Sequence, residues 1–240
     1  MRRVRHALAF TAVIGALAWL ETRWPLRART RPRGPRSAVN LAVAASTAAI
    51  VGPIQRALVG RATAVVERRN IGLTRWVNTQ PLVQRIAGFV ALDYTLWHWH
   101  RLCHRMPMLW RMHAIHHADL DLDWSTALRF GLGELLASVP VRAAQVLLLG
   151  IDRATLRTWE TALLIAILFH HSNWRLPARV DAGLSWLAVT PRLHGIHHSV
   201  RPRALETNFG TLLTLWDVIH GSRRTDVRQD AIVLGLPDRA

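Results

Sequence analysis

DYTLWHWHRLCHRMPMLWRMHAIHHADLDLD, residues 93–123, is the stretch whose reading decides the fold. His100 and His104 stand four apart, and His113, His116 and His117 follow the i, i+3, i+4 spacing that puts side chains on one helical face. The stretch therefore predicts helices that present rows of imidazoles. The apolar run Leu82 to Trp97 leads straight into it, which places His98 to His117 at a membrane boundary. Downstream, His194, His197 and His198 repeat the pattern, with His170 and His171 in between. The chain has 13 histidines in 240 residues, and their clustering predicts one metal site assembled from separate segments.

Outward from the histidines, two apolar runs at Glu134 to Gly150 and Leu156 to Phe169 are joined by the short turn Gly150-Ile-Asp152-Arg153. A short turn predicts antiparallel neighbours. As a membrane hairpin, over about residues 134–169, they return the chain to the face it left. That puts His171 on the same side as His100 to His117. Arg142 in the first arm is expensive in lipid, so it is expected to face protein or a polar cavity.

Toward the N-terminus, Ala7 to Leu20 is an uncharged run of about 21 Å as a helix, short of a ~30 Å hydrocarbon layer without its flanks. No small-x-small cleavage site follows, so it reads as an uncleaved span or anchor, with a helix lying at the interface as the alternative. Six arginines alternate with Pro25, Pro32, Gly34 and Pro35 between Arg23 and Arg36, a linker that cannot be helical throughout. The positive-inside rule assigns it to the cytoplasm. Ala38 to Leu58, interrupted by Pro53, is a second span or, with the first, a hairpin of short helices, and Arg61 to Arg75 a polar connection. The expected organisation is N-terminal membrane helices and linker in residues 1–80, a histidine-cluster catalytic region in 81–222 and a charged tail in 223–240.

The formal charge is +16, and all 31 basic residues are arginine. Such a chain suits nucleic acid or anionic lipid. Eleven Trp against one Tyr, set among long apolar runs, favour a membrane interface. Nucleic-acid binding would need the arginines on one groove-sized face, whereas here they bracket apolar segments. Cys103, the lone cysteine, excludes an intrachain disulfide and reads as a buried, inert thiol.

Neutral imidazole suits zinc and iron. One tetrahedral ion uses four ligands, so the number of histidines predicts two metals or a generous supporting set. A zinc hydrolase would carry a His-Glu-x-x-His motif, which is lacking, so iron is the expected metal, with zinc a substitute in purified protein. No Gly-x-Gly-x-x-Gly fingerprint for a nicotinamide or flavin is present, so electrons are expected from a separate protein.

Asp93-Tyr94 through His104, Leu109 to His117, Ser125 to Phe130, His171-Ser-Asn173 with Leu176-Pro177, and Pro191 to Ser199 together resemble the fatty acid hydroxylase/sterol desaturase superfamily. Asn208-Phe-Gly210 and Trp216-Asp217 extend the resemblance, which covers about residues 93–222. It implies an all-α integral membrane helical bundle capped on its cytoplasmic face by histidine clusters around two iron ions. It also implies an enzyme that uses O₂ and external electrons to hydroxylate or desaturate a C–H bond of a fatty acyl or sterol-like lipid. Carried over by motif, the ligands are His100, His104, His113, His116, His117, His171, His194, His197 and His198, with no catalytic residue beyond them. Asn173, Asn208 and Asp217 would orient imidazoles, or alternatively cap and turn the backbone.

The sequence departs from the superfamily at two positions. Related sequences often carry histidine where Gly131 stands, and the closing Trp-Asp motif continues here as His220-Gly221-Ser222. Both motivate an alternative: a catalytically silent membrane protein with a structural metal site that binds lipid or a partner.

Overall fold

The computed structural model describes residues 2–76 and 80–236. Residues 1, 77–79 and 237–240, at the edges of the expected N-terminal region and charged tail, lie outside them. The described residues are helical, with no strand among them, only isolated bridges such as Pro25 to Trp174. The long helices are α1 (Arg2–Arg23), α2 (Arg33–Arg69), α4 (Pro81–Arg105), α6 (Leu132–Leu149) and α7 (Arg153–His171); short ones are α3 (Leu73–Trp76), α5 (Pro107–His117), α8 (Ala178–Leu184), α9 (Pro191–His197), α10 (Pro202–Leu205) and α11 (Leu215–Ile219).

Two expectations change. Helix α2 runs through Pro53 to Arg69, so the expected connection from Arg61 is mostly helix. Arg61 to Arg69 is polar yet rich in Ala, Arg and Glu, which sustain a helix, so α2 continues through it. Among the described residues, two segments contain helix long and apolar enough to cross a membrane, Arg33–Trp76 and Leu132–Leu149. Helices form at the other expected crossings, but α4 carries Arg85, Asp93 and Arg101, and α7 carries Arg153, Arg157 and Glu160.

The chain divides into two compact units. One comprises Ala42–Ile115 and Phe130–Leu164. In it α4 packs on α6, where Gln145 Nε2 donates to Thr95 Oγ1 at 2.8 Å. Proline 107 decides the local path: the residue before a proline is held out of the helical region, and Met106 sits at φ −91°, ψ 119°. So α4 ends at Arg105, and α5 restarts with Pro107 in its first turn, where no N–H is needed. The α6–α7 turn is equally local. Gly150 adopts φ +77° and donates to Val146 O, while Asp152 Oδ1 accepts from Thr155 N at 2.7 Å to open α7. A Cβ on Gly150 would come within 2.8 Å of Ile71 O. Arg142 turns inward and lies over the Trp159 ring, 4.1 Å from its centroid.

The other unit comprises Met1–Leu41, His116–Arg129 and Ile165–Ala240. Here the Arg/Pro segment is a packed strap. Arg36 bridges Asp119, at 2.6 Å, and Asp123, while Asp121 accepts from the backbone N–H groups of Thr30 and Arg31 at 2.9 and 2.8 Å. Buried Glu21 accepts from Trp124 N, Asn173 N and Arg33. The Asp-x-Asp-x-Asp run after His117 is thus fixed by partners from the N-terminal region.

Candidate metal centre

In the unit containing the strap, four buried histidines converge: His116 and His171 at the C-terminal ends of α5 and α7, His194 in α9 and His198 just after it. Helix α9 begins at Thr190-Pro191, with proline at the first helical position and Thr190 Oγ1 accepting from Leu193 N. That start sets the register of both later imidazoles. The contacts His116 Nε2 to His171 Nε2, His171 Nε2 to His194 Nε2, and His194 Nε2 to His198 Nε2 are each 3.0 Å.

These distances do not suit a metal-free hydrogen-bond chain. His171 Nδ1 lies 2.7 Å from Ile167 O, and His116 Nδ1 lies 3.2 Å from Arg129 O. A carbonyl only accepts, so both Nδ1 atoms carry the proton, and in neutral imidazole that leaves Nε2 as a lone pair. Two lone pairs face each other at 3.0 Å, an arrangement that a shared cation relieves. Nitrogens bound cis to one ion at about 2.1 Å stand about 3.0 Å apart. Burial first, and then the neighbouring imidazoles, hold His194 well below the usual histidine range, which keeps it in its ligating neutral form. The donor set fits a metal ion.

His117 and His197 belong to the same unit. Their ring centroids are 4.9 Å apart, His117 stacks on His198 at 4.1 Å, and His197 Nδ1 donates to Thr207 O at 2.9 Å. His170 packs on His194 at 4.1 Å.

In the other unit, His100, His104 and His113 form a triangle with ring centroids 5.1, 5.1 and 4.9 Å apart. The restart at Pro107 is what lets α5 bring His113 beside the last two turns of α4. His113 Nδ1 lies 2.8 Å from Glu134 Oε1, a buried carboxylate on α6. That bond fixes the tautomer and leaves Nε2 for a metal. Cys103, His113 and Glu134 form a buried group, and burial pushes the Cys103 thiol up, so the protonated thiol persists.

Sequence reading missed Glu134, because its partner lies 21 residues away on another helix. It also missed buried Arg27, whose Nη1 donates to Pro191 O and Gln229 Oε1 and whose guanidinium is pushed down to about 10 by burial. A Cβ on Gly195 would stand 2.1 Å from Arg27 Nη1, which accounts for glycine between His194 and Ile196. Asn173 bonds the backbone N and O of Arg27, and Asn208, at φ +54°, bonds the backbone of Leu193 and Arg224. Both shape the chain next to the histidines through backbone groups and not through imidazole nitrogens. Asp217 accepts from Phe209 N, Gly210 N and Ser222 Oγ, closing a loop. At Gly131 a Cβ would meet Ile115 Cδ1 at 2.8 Å and Met112 O at 3.3 Å, so α5 fills the space a side chain would need.

The family model described as fatty acid hydroxylase matches residues 85–222. Among curated proteins, the chain is 29% identical over 163 residues to the ornithine lipid hydroxylase OlsE of Rhizobium tropici, covering 67% of this chain and 48% of the relative. It is 26% identical over 153 residues to alkylglycerol monooxygenase of Danio rerio, covering 62% and 32%, and 23% identical over 150 residues to the Homo sapiens protein of that name, covering 62% and 32%. The chain thus spans about half the length of the first relative and about a third of the other two. No solved structure matches it.

Proposed function

Since the chain belongs to the fatty acid hydroxylase family, we propose that it is a membrane-bound di-iron enzyme that uses O₂ to oxidise a C–H bond of a lipid alkyl or acyl chain. The observation that carries this reading is the set of three 3.0 Å contacts among the Nε2 atoms of His116, His171, His194 and His198, two of them with Nδ1 committed to a carbonyl. Names of relatives that are a hydroxylase and a monooxygenase favour oxygen insertion over desaturation.

Bound iron would supply O₂ activation, with two electrons and two protons from outside converting C–H and O₂ to C–OH and water. His116, His171, His194 and His198 would hold one ion. By the family motif, His100, His104, His113, His117 and His197 would be the remaining ligands. Ile167 O, Arg129 O, Thr207 O and Glu134 fix imidazole tautomers so that each neutral ring keeps a lone pair for metal. The apolar helices hold the substrate in the bilayer, the histidine clusters lie at its cytoplasmic face, and a separate redox protein supplies the electrons.

The test is lipid oxidation in membranes that carry the full chain, a reductase system and labelled O₂. Labelled hydroxyl in lipid from the parent and none from the His116→Ala/His117→Ala variant is the expected result. Equal incorporation by both would refute the assignment. Retained metal with no incorporation under any reductant would favour the silent reading.

A further inference from the structure

The unit that contains α6 also holds a cavity of about 820 Å³ between the second half of α2 and the start of α7. Its lining includes Arg56, Arg61 and Arg68 from α2, Arg153 and Arg157 from α7, and one acid, Glu160. The metal reading does not use these residues. Among the described residues, none of the five guanidinium groups has a carboxylate within 4.0 Å, although the Arg153 backbone N–H donates to Glu67 Oε1 at 2.9 Å. Glu160 is the one acid in the lining, against these five arginines.

The placement of the charges is itself unfavourable. Arg153 and Arg157 occupy the first turns of a 19-residue helix, where the N–H groups favour negative charge and two of them, on Arg153 and Thr155, already donate to Glu67 and Asp152. They are also four apart, a like-charge spacing that opposes the helix. On α2 the chain makes room for another guanidinium: a Cβ on Gly52 would come within 3.1 Å of Arg56 Nη1. Five guanidinium groups around one void, against a single acid in its lining, are what a bound oxyanion would stabilise. Val59 and Leu156 give the same void apolar walls.

We propose that this cavity binds a phosphate-type oxyanion, carried either by an anionic lipid headgroup or by a soluble phosphate. The site stands apart from the oxidation chemistry and does not rest on it.

The test uses the purified full chain in nanodiscs of phosphatidylcholine doped with phosphatidylglycerol, with bound phosphatidylglycerol read by native mass spectrometry. Arg56→Gln/Arg61→Gln/Arg153→Gln should lower its retention by at least about tenfold, given the strength of single cations near an anionic surface. Arg179→Gln/Arg201→Gln/Arg203→Gln removes the same charge from exposed positions elsewhere, and should retain the lipid. Release of the lipid by added inorganic phosphate assigns the oxyanion to either source, and retention assigns it to the headgroup. Circular dichroism checks that each variant folds, and the single variant Arg61→Gln, expected to show a smaller loss, serves if the triple does not. Equal retention by the two triple variants, or by Arg61→Gln and the parent in that case, overturns the proposal.

Discussion

At His171 the proton on Nδ1 is held by Ile167 O, and the same logic recurs at His116 with Arg129 O and at His197 with Thr207 O. Each carbonyl decides which nitrogen carries the lone pair, a decision that helical spacing alone cannot reveal. The clustering of eight histidines was legible because imidazoles at i, i+3 or i+4 announce a shared face, while His171 came from the motif it shares with the family. Glu134 was not, since nothing in its own segment distinguishes it from any acid in the first turn of a helix. Its bond to His113 makes a specific prediction. Glu134→Ala should weaken iron binding about 10–100-fold, measured by competition with a chromophoric chelator, while Glu134→Gln, whose amide oxygen still accepts the hydrogen bond from His113 Nδ1–H, should lose much less. Unchanged affinity in Glu134→Ala would remove the carboxylate from that role.

At the scale of elements, α5 and α9 show how short helices acquire an exact register from their first residues. Pro107→Ala would let α4 run on through Met106, since alanine restores both the N–H and the freedom of the preceding residue. The expected outcome is loss of metal with helical content kept, read from metal analysis beside circular dichroism. Gly195→Ala is expected to displace the Arg27 guanidinium and break its buried bonds to Pro191 and Gln229, lowering stability by about 1–3 kcal/mol in thermal or denaturant unfolding. Periodicity and turn residues made the α6–α7 turn readable from Gly150 and Asp152. The strap was not readable, because an Arg/Pro-rich run gives no sign that Asp119, Asp121 and Asp123 are its partners. The length of α2 was missed for a related reason: Arg61 to Arg69 reads as a polar connection, whereas its Ala, Glu and Arg residues sustain the helix.

For the whole molecule, the all-helical class and the family followed from the order of the histidine motifs, while the division into two compact units did not, because each unit is stitched from distant stretches. Buried imidazoles with opposed lone pairs imply that metal and folding are coupled. Chelation of the purified chain is expected to lower its midpoint of thermal unfolding. Readdition of ferrous ion should restore it, since a ligand at about 100 times its Kd adds about 2.7 kcal/mol. An unchanged midpoint on stripping would show that the four-histidine group is stable without an ion.

The most direct measurement is the iron content of the full chain, loaded anaerobically with ferrous ion, freed of excess and compared with His171→Ala. The parent should hold about two irons per chain, and the variant about one or fewer. Equal iron in both, or none in the parent under any loading condition, would contradict the assignment of these imidazoles as the metal's ligands.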